Sequence, residues 1–141
     1  THGFRTAIVT GKPLELGGCA GRLEATGHGV AYLAHKAANE MGFIPEQSRV
    51  VIQGFGNVGS HTAAHLSKNG YRVIALSDVG GGVIAESGID IDLALAYVRE
   101  TGALLGLPGS TPISNAELLE LPCEILIPAA LEATITCDNA E

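Results

Sequence analysis

The chain has 141 residues, of which 46% are hydrophobic and 16% charged, with a formal net charge of −7 at pH 7. That length suits one domain with a sizeable core. The acidic balance, with no basic stripe, argues against a nucleic-acid partner, and no apolar run reaches the length of a membrane span or reads as a signal peptide.

Residues 4–10 hold a short β-like run with Ala7, Ile8 and Val9. Residues 11–29 carry six glycines and little periodicity, which predicts a structured loop leading into a helix. From Val30 to Met41 the pattern is helical, with Val30, Leu33, Ala34, Ala37 and Ala38 on one stripe. Gly42 is a stop signal, and Pro45 lies beyond it.

Residues 50–78 are the most informative stretch. A β-branched run, Val50-Val51-Ile52, leads into Gly54-Phe55-Gly56-Asn57-Val58-Gly59. A helical pattern follows as far as Asn69-Gly70, and a second β-rich run from Tyr71 to Leu76 ends in Ser77-Asp78. Strand, glycine turn, helix, strand and terminal acid together predict a dinucleotide site. Gly54 permits the tight turn. A side chain at Gly56 would stand where a pyrophosphate approaches the backbone. Gly59 lets the helix lie close to the strand, and the helix N-terminus offers N–H groups to phosphates. Asp78 lies 19 residues past Gly59, the spacing of a carboxylate that meets a ribose hydroxyl. The motif alone is weak in a chain with 19 glycines; its context makes it specific.

After Asp78, residues 79–88 predict a short irregular strand between turns. Asp90 or Asp92 can cap a helix carrying Leu93, Leu95, Ala96 and Val98. Residues 102–113 are loop-like. Ser114, with Glu117 three residues on, forms a capping-box pattern. Cys123 to Ile127 predicts a buried strand stopped by Pro128. The alternation gives an α/β class with a doubly wound parallel sheet of the Rossmann type. The glycine turn, Asp78 and Pro128–Ala130 all fall at carboxyl ends of strands, where such folds bind ligands.

Thr10-Gly-Lys-Pro-Leu-Glu-Leu-Gly-Gly-Cys-Ala-Gly-Arg-Leu-Glu-Ala-Thr-Gly-His-Gly29 resembles the block that opens the coenzyme domain of glutamate dehydrogenases, within the Glu/Leu/Phe/Val dehydrogenase family. The glycine turn, Ser77-Asp78 and Pro128-Ala-Ala-Leu-Glu132 resemble it too, so the likeness spans nearly the whole chain. The first block separates the chain from the leucine and phenylalanine branches and from other Rossmann-type dehydrogenases. The resemblance implies an NAD(P)-binding domain over residues 1–141, partial because the family's substrate domain is absent. It implies reversible oxidative deamination of L-glutamate to 2-oxoglutarate and ammonia, but only in a complete, oligomeric enzyme.

By resemblance, Thr26 and Asn57 would hold the carboxamide side of the nicotinamide. Gly56, Asn57 and Val58 would line the pyrophosphate, with Gly54, Phe55 and Gly59 shaping the turn. Asp78 would face the adenosine ribose, and Ala129 and Ala130 would lie near the nicotinamide half. NAD is expected over NADP, because Asp78 would repel a 2′-phosphate and Val79-Gly80-Gly81-Gly82 supplies no cation. NADP stays possible, because relatives with the same Ser-Asp pair differ in cofactor choice. No catalytic residue is expected in this chain. Lys12 belongs to the first block and is not the family's catalytic lysine. The family usually follows Pro-Ala-Ala-Leu-Glu with a cofactor-contacting asparagine, which here is Ala133.

Blander readings apply to several other residues. His61 and His65 have helical i, i+4 spacing but no third ligand nearby, so no metal site is expected. His28 reads as a loop histidine facing solvent in preference to a cofactor contact. Cys19, Cys123 and Cys137 read as reduced thiols of a cytoplasmic protein. The lone methionine is Met41, and the chain ends soon after an apolar strand, so a fragment or a truncated chain is expected. The rival function is a non-enzymatic module that binds NAD.

Overall fold

In a computed structural model, residues 9–140 are described. The β-like run at residues 4–10 therefore lies largely outside the described residues. The α/β class holds. Five strands, β1 (Arg49–Gln53), β2 (Arg72–Asp78), β3 (Gly81–Ile84), β4 (Thr111–Ile113) and β5 (Ile125–Pro128), form one sheet in the order β4-β3-β2-β1-β5. Four helices accompany them: α1 (Arg22–Glu40), α2 (Asn57–Lys68), α3 (Ile91–Thr101) and α4 (Asn115–Leu119).

The sheet is mixed. β1 pairs in parallel with β2 and with β5, as the doubly wound pattern requires. β3 runs antiparallel to β2, and β4 antiparallel to β3. The reason is local: only Val79 and Gly80 separate β2 from β3, and a parallel crossover needs a dozen or so residues. β4 falls within residues expected to be loop, and it is a short strand against the outer edge of β3.

Side chains alternate between two cores. Val50 and Ile52 face one core with Ala31 and Ala38 of α1, Ala63 and Leu66 of α2 and Ala94 of α3. Val51 faces the other, with Leu118 of α4. In β2 the alternation is broken. Val50 pairs with Val73 but Val51 with Ala75, so Ile74 is passed over, and Ile74 and Ala75 both join the α4 side. This local irregularity returns Leu76 to the α1–α2 side, next to the carboxyl edge of the sheet.

α1 begins eight residues earlier than expected, at Arg22, so Gly27 and Gly29 are helical. Packing overrides propensity here. A Cβ at Gly27 would lie 2.6 Å from His61 Cβ and 2.8 Å from the Val58 carbonyl oxygen, so glycine is what lets α1 and α2 touch. The buried Thr62 hydroxyl sits at the same contact, 2.8 Å from the Val58 carbonyl and 3.2 Å from the Gly27 carbonyl. Gly42 ends α1 as expected, at φ 77°, with the Phe43 N–H donating to Ala38 O. Of the two candidate caps for α3, Asp90 takes the role by accepting from the Leu93 N–H at 3.0 Å. The capping box at Ser114 and Glu117 is present.

At the amino end of the sheet, the Arg49 guanidinium grips the Glu124 carboxylate at 2.9 and 3.1 Å, and the Arg49 N–H adds a third bond at 2.7 Å. These bonds tie the starts of β1 and β5 together. They also hold the Glu124 carboxyl at about 2, against an ordinary 4.5.

Candidate functional site

The strand order reverses at β1, since β2 lies on one side of it and β5 on the other. Such a switch point opens a crevice at the carboxyl ends of the strands. Here it is a cavity of about 690 Å³. Its floor is Gln53, Gly54, Phe55 and Gly56 from the end of β1. Ser77, Asp78 and Val79 close the β2 side, and Ala129, Ala130, Leu131 and Thr134 the β5 side. Val98 and Gly102 of the α3 end and Asn115 of α4 complete it.

The β1 turn is stitched from both sides. The Gly54 N–H donates to Ser77 Oγ at 3.3 Å, and the Ala129 N–H donates to Gln53 O at 2.8 Å. Gly54 has φ 92°, and a Cβ there would stand 2.6 Å from the Ala129 carbonyl oxygen. Both facts demand glycine. Gly59 meets an equally hard limit, because a Cβ would overlap the Gly54 carbonyl oxygen. Gly56 is different. A Cβ there meets nothing within 4 Å, so the space above it is open. Phe55 is turned into the core on the α1–α2 side.

Six of the ten expected site residues line the cavity: Gly54, Phe55, Gly56, Asp78, Ala129 and Ala130. Asn57, Val58 and Gly59 form the first turn of α2, whose N–H groups have no partner within the helix. The Asn57 Nδ2 donates to Leu23 O of α1 at 2.6 Å. Thr26 is exposed on α1 and is not among the lining residues.

Asp78 is the one titratable side chain among the described residues of the lining, and both its oxygens are engaged. Oδ1 accepts from the Gly80 N–H at 2.7 Å and Oδ2 from the Leu104 N–H at 2.7 Å. Its carbonyl accepts from Asn115 Nδ2 at 3.1 Å.

Among the polar lining residues, sequence reasoning missed Gln53, Asn115 and Thr134. Gln53 closes β1 next to the glycine turn, a position that could have marked it. Its Oε1 is buried with no hydrogen-bond partner among the described residues. Asn115 and Thr134 carry no local signal.

His28, His61 and His65 lie at the α1–α2 contact, away from the cavity lining. The His28 and His65 rings are 3.3 Å apart between centroids. Burial lowers the pKa of His65, and His28 beside it lowers it further.

Residues 17–141 match the family model for glutamate/leucine/phenylalanine/valine dehydrogenases. The chain is 52% identical over 134 residues to the NADP-specific glutamate dehydrogenase of Saccharolobus shibatae, covering 95% of this chain and 32% of that protein. It is 47% identical over 135 residues to the glutamate dehydrogenase of Thermotoga maritima, again covering 95% and 32%. Among solved structures, it resembles the hetero-hexameric glutamate dehydrogenase of Thermus thermophilus, with TM-score 0.83 and 37% identity over 95% of this chain and 31% of that one. The chain thus spans less than a third of the length of these relatives.

Proposed function

Since the chain belongs to the glutamate, leucine, phenylalanine and valine dehydrogenase family, we propose that it is part of the cofactor-binding domain of a glutamate dehydrogenase and holds NAD(H) or NADP(H) in the cavity at the switch point. One observation carries the reading. The β1 turn, the carboxyl end of β2 and the segment after β5 converge on a single cavity beside the N-terminus of α2. The residues present fit a dinucleotide. The open space over Gly56 suits a phosphate, which the first N–H groups of α2 and the helix dipole would stabilise. Val79, Val98 and Leu131 offer apolar surface for flat rings. The orphaned Gln53 Oε1 is an acceptor for an N–H or O–H of the bound molecule.

When bound, the nicotinamide would supply the hydride acceptor for oxidation of the α-carbon of L-glutamate. This chain's residues would bind and orient it and exclude water from one side. Among the described residues lining the cavity, none is placed to take a proton from the substrate amine, because Asp78 is already held by two amides. Glutamate, 2-oxoglutarate and subunit partners would belong to the complete protein.

The test is a fluorescence titration with NADH. Gly56→Val should fold normally yet weaken binding by at least about a hundredfold, because the side chain fills the phosphate's approach. A wild-type chain that does not bind NADH at about 1 mM would refute the reading. So would unchanged affinity in the folded variant.

A further inference from the structure

The structure assigns Asp78 a positioning role instead of a discriminating one: its carboxylate clamps the α3–β4 loop to the end of β2, and the cavity takes NADH and NADPH with comparable affinity. This inference rests on the dinucleotide reading above.

An acidic residue at the end of the second strand discriminates by presenting a free carboxylate to the adenosine 2′-position. That carboxylate accepts from a hydroxyl and repels a phosphate. Asp78 is differently engaged. Oδ1 closes a tight turn onto the Gly80 N–H, and Oδ2 reaches 26 residues along the chain to the Leu104 N–H, both at 2.7 Å. These are short, charge-assisted bonds. Turning the carboxylate towards a ribose would break them and leave the Leu104 amide without its acceptor, beneath a side chain that is wholly buried. The two N–H dipoles also offset part of the negative charge.

The clamp has a further consequence. Gly102, which lines the cavity, ends α3 at φ 81° and sits two residues before Leu104. Asn115, also in the lining, is tied to the Asp78 carbonyl. Asp78 thereby fixes the wall on which the adenosine half would rest.

The second discriminator is missing as well. No arginine or lysine is among the described residues lining the cavity, so nothing there rewards a 2′-phosphate specifically. With neither a free carboxylate against NADPH nor a cation in its favour, the affinity difference should be small.

The experiment measures dissociation constants of NADH and NADPH for the wild-type chain, Asp78→Asn and Asp78→Ser, with amide hydrogen exchange at Leu104 in the cofactor-free proteins. The wild type should bind the two cofactors within about tenfold of each other. Both variants should weaken the two cofactors alike, by about tenfold, while the Leu104 amide exchanges faster. A wild type that disfavours NADPH by more than about a hundredfold, relieved selectively in Asp78→Ser, would overturn the inference and leave the dinucleotide reading intact. If the wild type binds neither cofactor, the dinucleotide reading fails and the affinity claim with it. Leu104 exchange unchanged in both variants would by itself overturn the clamp.

Discussion

At the scale of single residues, the three glycines of the turn do different jobs, and a Cβ tells them apart. At Gly59 it would overlap the Gly54 carbonyl oxygen, which is backbone and cannot swing aside. Gly59→Ala is therefore expected to destabilise the chain by about 3 kcal/mol or more, read as a drop in the denaturant midpoint at unchanged slope. A loss below about 1 kcal/mol would mean that α2 slides off β1 more easily than its packing suggests. Gly56, facing open space, should tolerate alanine with little change in stability, so the fold does not demand glycine there. Ala133 shows the opposite mismatch. It holds φ 58°, in the region where asparagine and glycine are at ease.

At the scale of elements, two contacts carry pH-dependent stability with the same sign. The first joins α1 to α2. The His65 pKa is lowered by burial, by the His28 ring, and by Lys68 and His61, with Glu24 opposing. Its folded pKa lies below the ordinary value, so the unfolded chain binds the extra proton first. The contribution is complete above the ordinary histidine range and is lost as pH falls towards the folded value. Stability should decline as pH falls through and below the ordinary histidine range, and less steeply in His65→Gln. Parallel decline in the two proteins would acquit His65. The second contact joins β1 to β5 through Arg49 and Glu124, both about two-thirds buried. Glu124 sits at about 2 against 4.5, so its contribution is present above 4.5 and lost as pH falls through about 2. The stability gap between wild type and Glu124→Gln should shrink on acidification across that window. A gap that stays constant would place the pair's value in packing instead of charge.

At the scale of the molecule, the cavity gathers its lining from the ends of β1, β2 and β5 and from α3 and α4. Among the described residues, its only titratable lining side chain is Asp78, which is engaged with backbone amides. The chain by itself should therefore show no glutamate oxidation above background, even where NADH binds. Lack of a positioned base forfeits about 10²–10⁴-fold in rate. The assay follows NADH absorbance with glutamate, or with 2-oxoglutarate and ammonia. Turnover that co-purifies with the chain and disappears in Gly56→Val would show that a proton acceptor is present after all.

What the sequence determined by itself was whatever depends on neighbours along the chain. The strand–turn–helix–strand unit from Val50 to Asp78 was legible because its periodicities and glycines are local. The Gly42 stop and the capping box at Ser114 were legible for the same reason. The tertiary structure decided what depends on distant partners. Residues 22–29 read as loop because their glycines oppose helix, but α2 rewards Gly27 for having no side chain. β4 read as loop because its three residues are a strand only against β3. Asp78 was recognisable as an acid at the right spacing, but its direction was not. That direction is set by the Leu104 amide 26 residues away, with Asn115, 37 residues away, fixing the backbone beneath it. Spacing names a residue for a site, and only the folded chain decides which way its charge points.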